Sequence, residues 1–161
     1  MTFEARSLSI TVCRPLAVVC DFLAHPMNFS QWASGLASGL APLDAMAEGA
    51  EADSSVWTAQ AAQGDVTLRF SPPNDLGVAD HWVLLPDGTS VYVPLRAVAN
   101  GEGAEVILTL FRQPSMDPQQ FENDAQWVMR DLQQIKAVLE GTSQGVVFDT
   151  PRGGLYTEPH G

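Results

Sequence analysis

DPQQFENDAQWVMRDLQQIKAVLE, Asp117 to Glu140, is the stretch whose reading decides the fold. Asp117 suits a helix N-cap, Pro118 suits the first turn, and Gln120 completes a D-x-x-Q capping box. Phe121, Ala125, Val128, Leu132, Ile135 and Leu139 then recur at steps of four and three, which aligns them on one stripe of a helix. Gly141 ends it as a C′ glycine. At about 1.5 Å per residue the helix runs roughly 36 Å, long enough to lie across a whole sheet. Trp127 and Val138 fall off the main stripe and need a cover of their own, either the Val146–Phe148 segment folded back or a second copy of the chain.

Upstream the pattern is that of strands. Leu8, Ile10 and Val12 alternate with Ser7, Ser9 and Thr11, the period of a half-buried strand. Pro15 opens a short helix over 16–24, which His25-Pro26 stops, because the residue before proline avoids the helical region. A second short helix is expected from Asn28, carrying Phe29 and Trp32. Ser34 to Asp53 reads as a long irregular loop of Gly, Ala and Ser, and a loop of that length suits a lid. Strands are expected at 55–62, 65–71, 77–85, 90–99 and 104–112, separated by turn residues such as Pro86-Asp87-Gly88 and Asn100-Gly101. Connections this short make an antiparallel meander.

The chain of 161 residues is long enough for one domain, 1–141, with a full core, followed by a tail, 142–161, that is partly ordered at most. Its formal charge of −11 argues against nucleic acid or an anionic membrane as a direct partner, since phosphates would be repelled. No stretch approaches the roughly 20 apolar residues of a membrane span, and the start lacks a signal-peptide run, so a cytoplasmic location is expected. Cys13 and Cys20 are too few for a disulfide framework and read as reduced packing residues. No histidine has a second ligand at metal spacing, and no Gly-rich phosphate cradle or nucleophile elbow occurs, so neither metal nor cofactor is expected.

Strand, two short helices, meander and long terminal helix is the order of the helix-grip fold. More specifically, the chain resembles the SRPBCC superfamily, which joins START domains to polyketide cyclases. The resemblance rests on Pro15…Phe22-Leu23-Ala24…Phe29…Trp32, on Asn74-Asp75-Leu76-Gly77-Val78-Ala79-Asp80-His81-Trp82, and on Val93-Pro94-Leu95-Arg96. It extends through Leu108-Thr109-Leu110-Phe111-Arg112-Gln113-Pro114 to Asp131-Leu132…Lys136…Leu139-Glu140. The resemblance implies a START-like α+β fold, a curved meander sheet wrapped around the long helix, with an apolar cavity between them. It implies a ligand carrier, cyclase, dehydratase or chaperone-like partner, and it carries over no catalytic residue.

Asp80 and His81 cannot form a dyad, because neighbours on a strand point to opposite faces. Pairing Ser71 with Gly77 would put Asp80 opposite Leu68 and turn Val78, Asp80, Trp82 and Leu84 inward. Pairing Asp80 with Pro94 and Arg96 with Val106 would then bring Tyr92 and Arg96 to the same side. A single bulge would exchange the faces and make His81, Thr109 and Glu105 the polar lining. Asp80 and Arg96 are either a polar spot that orients a ligand or a buried ion pair that satisfies itself. His81 is either a general acid or base or a hydrogen-bonded structural residue. Trp32, Trp57, Trp82 and Tyr92 either line the cavity or fill the core, and Val128 and Leu132 form its helical wall. The expected function is binding of a small hydrophobic, aromatic or polyketide-like molecule between sheet and helix. The alternatives are a cyclase- or dehydratase-like enzyme in that cavity, or an interaction module that dimerises through the Trp127 face or the tail.

Overall fold

A computed structural model describes residues 1–43, 56–61 and 64–141. Eight strands and three helical segments follow in the order β1 (Ala5–Val12), α1 (Leu16–Ala24), a 3₁₀ helix (Pro26–Gln31), β2 (Leu36–Pro42), β3 (Val56–Ala61), β4 (Gly64–Phe70), β5 (His81–Leu84), β6 (Ser90–Val93), β7 (Leu95–Asn100), β8 (Gly103–Phe111) and α2 (Pro118–Glu140). All pairings are antiparallel and form two sheets, β1-β8-β7 and β2-β3-β4-β5-β6. The tail, with its Val146–Phe148 segment, and the second half of the expected lid lie outside the described residues.

The capping chemistry of α2 is as the sequence implies. Asp117 Oδ1 accepts from Gln120 N at 2.7 Å, and Gly141 closes the helix in the left-handed region with φ of 73°. Phe121, Ala125, Val128, Leu132 and Ile135 are buried against the sheets. One flank of α2 is tied to β1: Arg6 pairs with Glu122 at 2.7 Å and covers the Phe121 ring, while Lys136 donates to Thr11 O at 2.7 Å. The opposite flank meets the end of the 3₁₀ helix.

Four expectations are corrected. The second helix starts at Pro26 rather than Asn28 and is 3₁₀. Leu36–Pro42 is an edge strand rather than loop; its pairing with β3 shifts register twice, between Leu36 and Ser38 and between Ser38 and Ala41. Those irregularities erase the period-two signal, which is why the segment reads as loop. The expected 90–99 strand is divided at Pro94, so β6 and β7 belong to different sheets. Cys13 is exposed rather than packed, whereas Cys20 is half-buried against the core.

The seam between the sheets is built by Gly77–Ala79. Ala97 N donates to Gly77 O, Ala79 N donates to Leu95 O, and Val78 bridges Arg96. Asn74 holds the approach: its Oδ1 accepts from Leu76 N and Val78 N, and its Nδ2 donates to Pro72 O and Val78 O. Gly77 is required here, since its φ is 73° and an added Cβ would stand 2.1 Å from Ala97 O.

Candidate functional site

The Pro72–Ala79 excursion decides which residues enter the interior. Because Gly77–Ala79 pairs with β7, β4 and β5 resume pairing only at Ser71 N with Asp80 O, and Phe70 then faces His81. Leu68 lies opposite Val83 instead of Asp80, an odd shift from the register the sequence suggested. An odd shift exchanges faces. Arg96 likewise pairs with Ile107 and not Val106, so Asp80, Trp82, Tyr92 and Arg96 do not line the interior. His81, Val83, Val91 and Val93 do.

His81 is 1% exposed and sits among Phe29, Phe70 and Trp32, with ring centroids at 5.1, 5.8 and 6.5 Å. Its Nδ1 lies 3.3 Å from Ala79 O. A carbonyl can only accept, so the proton belongs on Nδ1 and Nε2 presents a lone pair. Burial pulls the imidazole down to about 4, against smaller opposing effects of the Ala79 carbonyl and the Asp80 carboxylate. At neutral pH His81 is an uncharged acceptor in an aromatic nest. Trp32 is buried beside it, and Trp57, opposite Leu68 on β3, is half-buried against the same core.

Asp80 turns the other way. Its carboxylate accepts from Arg96 Nε and Arg96 Nη2, both at 2.7 Å, from Tyr92 Oη at 2.5 Å and from Leu95 N at 3.1 Å. Burial would raise its pKa, but the bonds from Arg96, Tyr92 and Leu95 together outweigh it and hold the carboxyl below its ordinary value. The Arg96 side chain is 46% exposed, which marks this as the outer face. A ladder of flat side chains runs over that face: Arg69 over Trp82 at 4.6 Å, Trp82 on Tyr92 at 5.0 Å, and Tyr92 on Phe111 at 6.3 Å. Thr109 and Glu105 alternate with inward Leu108, Leu110 and Val106 and so share the outer side. Asp80 and Arg96 do touch, as the sequence suggested, but as a self-satisfied pair outside the interior.

The helix contributes two acids that sequence reasoning passed over. Asp124 and Asp131 stand seven residues apart, two turns on one flank of α2, with the predicted wall residues Val128 and Leu132 beside them. Asp131 accepts from Ser34 N at 3.2 Å and from Ser34 Oγ at 2.5 Å. Burial pushes its carboxyl up to about 7 in spite of those two bonds. Asp124 is 0% exposed, neither of its oxygens has a partner among the described residues, and burial pushes it to about 7 as well. The signal was present: acids at i and i+7, each one residue before an apolar stripe member, Ala125 or Leu132. No group of three or more metal-ligating side chains occurs among the described residues.

No known sequence family matches the chain, and no curated protein matches it in sequence. Solved structures match it in shape. The Zhui aromatase/cyclase from Streptomyces sp. R1128 superposes with a TM-score of 0.62 at 14% identity, over 89% of this chain and 97% of its own. Ara h 8.0201 matches with a TM-score of 0.60 at 11% identity, over 86% of this chain and 98% of its own. DynU16, a protein of the dynemicin biosynthetic locus, matches with a TM-score of 0.61 at 10% identity, over 86% of this chain and 48% of its own. At such identities the likeness is one of fold alone, and the fold is the helix grip.

Proposed function

We propose that this protein binds a small, largely hydrophobic molecule between the inner face of its sheets and α2. The observation that carries the reading is His81, a buried neutral imidazole whose Nε2 presents a lone pair and which Phe29, Trp32 and Phe70 surround. Apolar walls with one or two convergent polar groups are the usual make-up of a small-molecule site. The ligand would stack on the aromatic cluster, donate to His81 and rest against Val128 and Leu132. The likeness to an aromatase/cyclase fold supports a planar or polyketide-like ligand. The formal charge of −11 argues against nucleic acid, and no helix among the described residues is long and apolar enough to cross a membrane. A cytoplasmic location fits that reading. Native mass spectrometry of the purified protein, followed by denaturation, tests it. A stoichiometric small molecule, lost in a Val128→Trp variant that fills the interior, is the expected result. An apo mass that no apolar aromatic probe shifts would overturn it.

A second reading is favoured by the acids of α2. Carboxyls near 7 can hold or release a proton at neutral pH, as a cyclase- or dehydratase-like enzyme requires. Turnover of a carbonyl substrate that cyclises slowly alone, lost in Asp131→Asn with the fold intact, would select this reading over simple carriage.

A further inference from the structure

Three buried side-chain atoms lack a hydrogen-bond partner among the described residues: both Asp124 oxygens and Trp127 Nε1. They belong to one turn of α2, since residues three apart are neighbours on a helix surface. Asp131 continues the same flank and is already satisfied by Ser34, and Gln134 donates to Gln31 O one turn further on. The Asp124–Trp127 turn is thus a gap in a flank that is otherwise hydrogen-bonded. A buried polar atom left unpaired costs about 1–3 kcal/mol, so an indole N–H and a carboxyl unpaired together stand ready for a partner that the described residues do not supply.

The chemistry of the two groups narrows that partner. Trp127 Nε1 can only donate, so it needs an acceptor. Above pH 7 the Asp124 carboxyl is ionised, and a carboxylate can only accept and needs a donor. An ammonium would satisfy Asp124 but leave the indole N–H facing a cation. A ligand carboxylate would set a second negative charge beside a buried acid. A ketone or ether would serve Trp127 alone. A hydroxyl does both with one oxygen, accepting from the indole and donating to the carboxyl. We propose that Asp124 and Trp127 form a hydroxyl-recognition site at the helix flank of the interior, and that the protein selects an apolar ligand bearing an alcohol or phenol. This rests on the interior-ligand reading above and adds the functional group.

The test compares naphthalene with 2-naphthol, a pair that differs by one hydroxyl, by equilibrium dialysis against the whole chain at about pH 8, above the Asp124 titration. The hydroxylated probe is expected to bind about tenfold more tightly, the worth of one well-placed pair of hydrogen bonds in a dry site. Trp127→Phe removes the N–H and keeps the ring, and Asp124→Leu removes the carboxyl and leaves no buried charge unpaired. Each should bring the ratio of 2-naphthol to naphthalene affinity down towards one. Equal affinities in the unmodified protein, or a preference that survives both substitutions, would overturn the hydroxyl site alone. Failure of both probes to bind would overturn the interior-ligand reading and the site with it.

Discussion

Asp131, on α2, takes both the backbone N–H and the hydroxyl of Ser34 at 3.2 and 2.5 Å. This pair joins the long helix to the chain that leaves the 3₁₀ helix and enters β2, so it fixes one wall of the interior against the other. Ser34→Ala should cost about 1–2 kcal/mol, because it deletes one bond and leaves a buried acid less satisfied. It should also raise the Asp131 carboxyl further, since the Ser34 bonds are what hold it down. Urea denaturation at two pH values, with NMR titration of the Asp131 side chain, checks both; an unchanged midpoint would show that the pair does not brace the wall.

Stability should fall as pH rises from 5 to 8. Asp124 and Asp131 have folded values near 7, above the ordinary carboxyl value, so their contribution is complete below the unfolded pKa and is lost as pH rises through about 7. His81 acts in the other direction, because its folded value of about 4 lies below the ordinary 6.5 and its contribution is lost as pH falls through that interval. Two acids against one imidazole leave a net decline, steepest between pH 6.5 and 7, where only the acids titrate. The carboxyls held below their ordinary values, Asp80, Glu105, Glu122 and Glu140, act at lower pH. Asp124→Asn should flatten the Tm profile between pH 5 and 6.5, and a profile that climbs with pH in the native protein would contradict the assignment.

Asp80→Ala should destabilise more than Arg96→Met. Removing Asp80 strands Tyr92 Oη, Leu95 N and the guanidinium together, whereas removing Arg96 leaves Asp80 with two donors. The Arg96 head is also partly hydrated, so its bonds are worth less than their lengths suggest. A difference of about 1–2 kcal/mol in guanidinium unfolding is expected, with ligand binding unaffected by Arg96→Met because the pair sits on the outer face. Loss of ligand in that variant would place Arg96 in the site after all.

Gly77→Ala should be far more damaging than Gly88→Ala. Both glycines have positive φ, but an added Cβ at Gly77 meets Ala97 O at 2.1 Å, while at Gly88 nothing lies within 4 Å. The second change should cost only the left-handed penalty of about 1–2 kcal/mol. The first must in addition open the seam between the sheets. Comparable melting temperatures for the two variants would mean that the seam tolerates repacking.

Local residue patterns sufficed for α2 from cap to C′ glycine, for the first strand and helix, and for most of the meander. Each depends on local rules, since side-chain period, proline and glycine act over a few residues. Even the contact between Asp80 and Arg96 was legible. Which face they occupy was not. That depended on Asn74 gathering the Pro72–Val78 turn and on Gly77–Ala79 pairing with β7 instead of β4, a choice made by strands far along the chain. One odd shift then sent His81 inward and the Asp80 cluster outward. The burial of Asp124 and Asp131 was likewise a tertiary outcome: on an isolated helix they border the apolar stripe and would be solvated, and only packing of that flank removes their water and raises their pKa values.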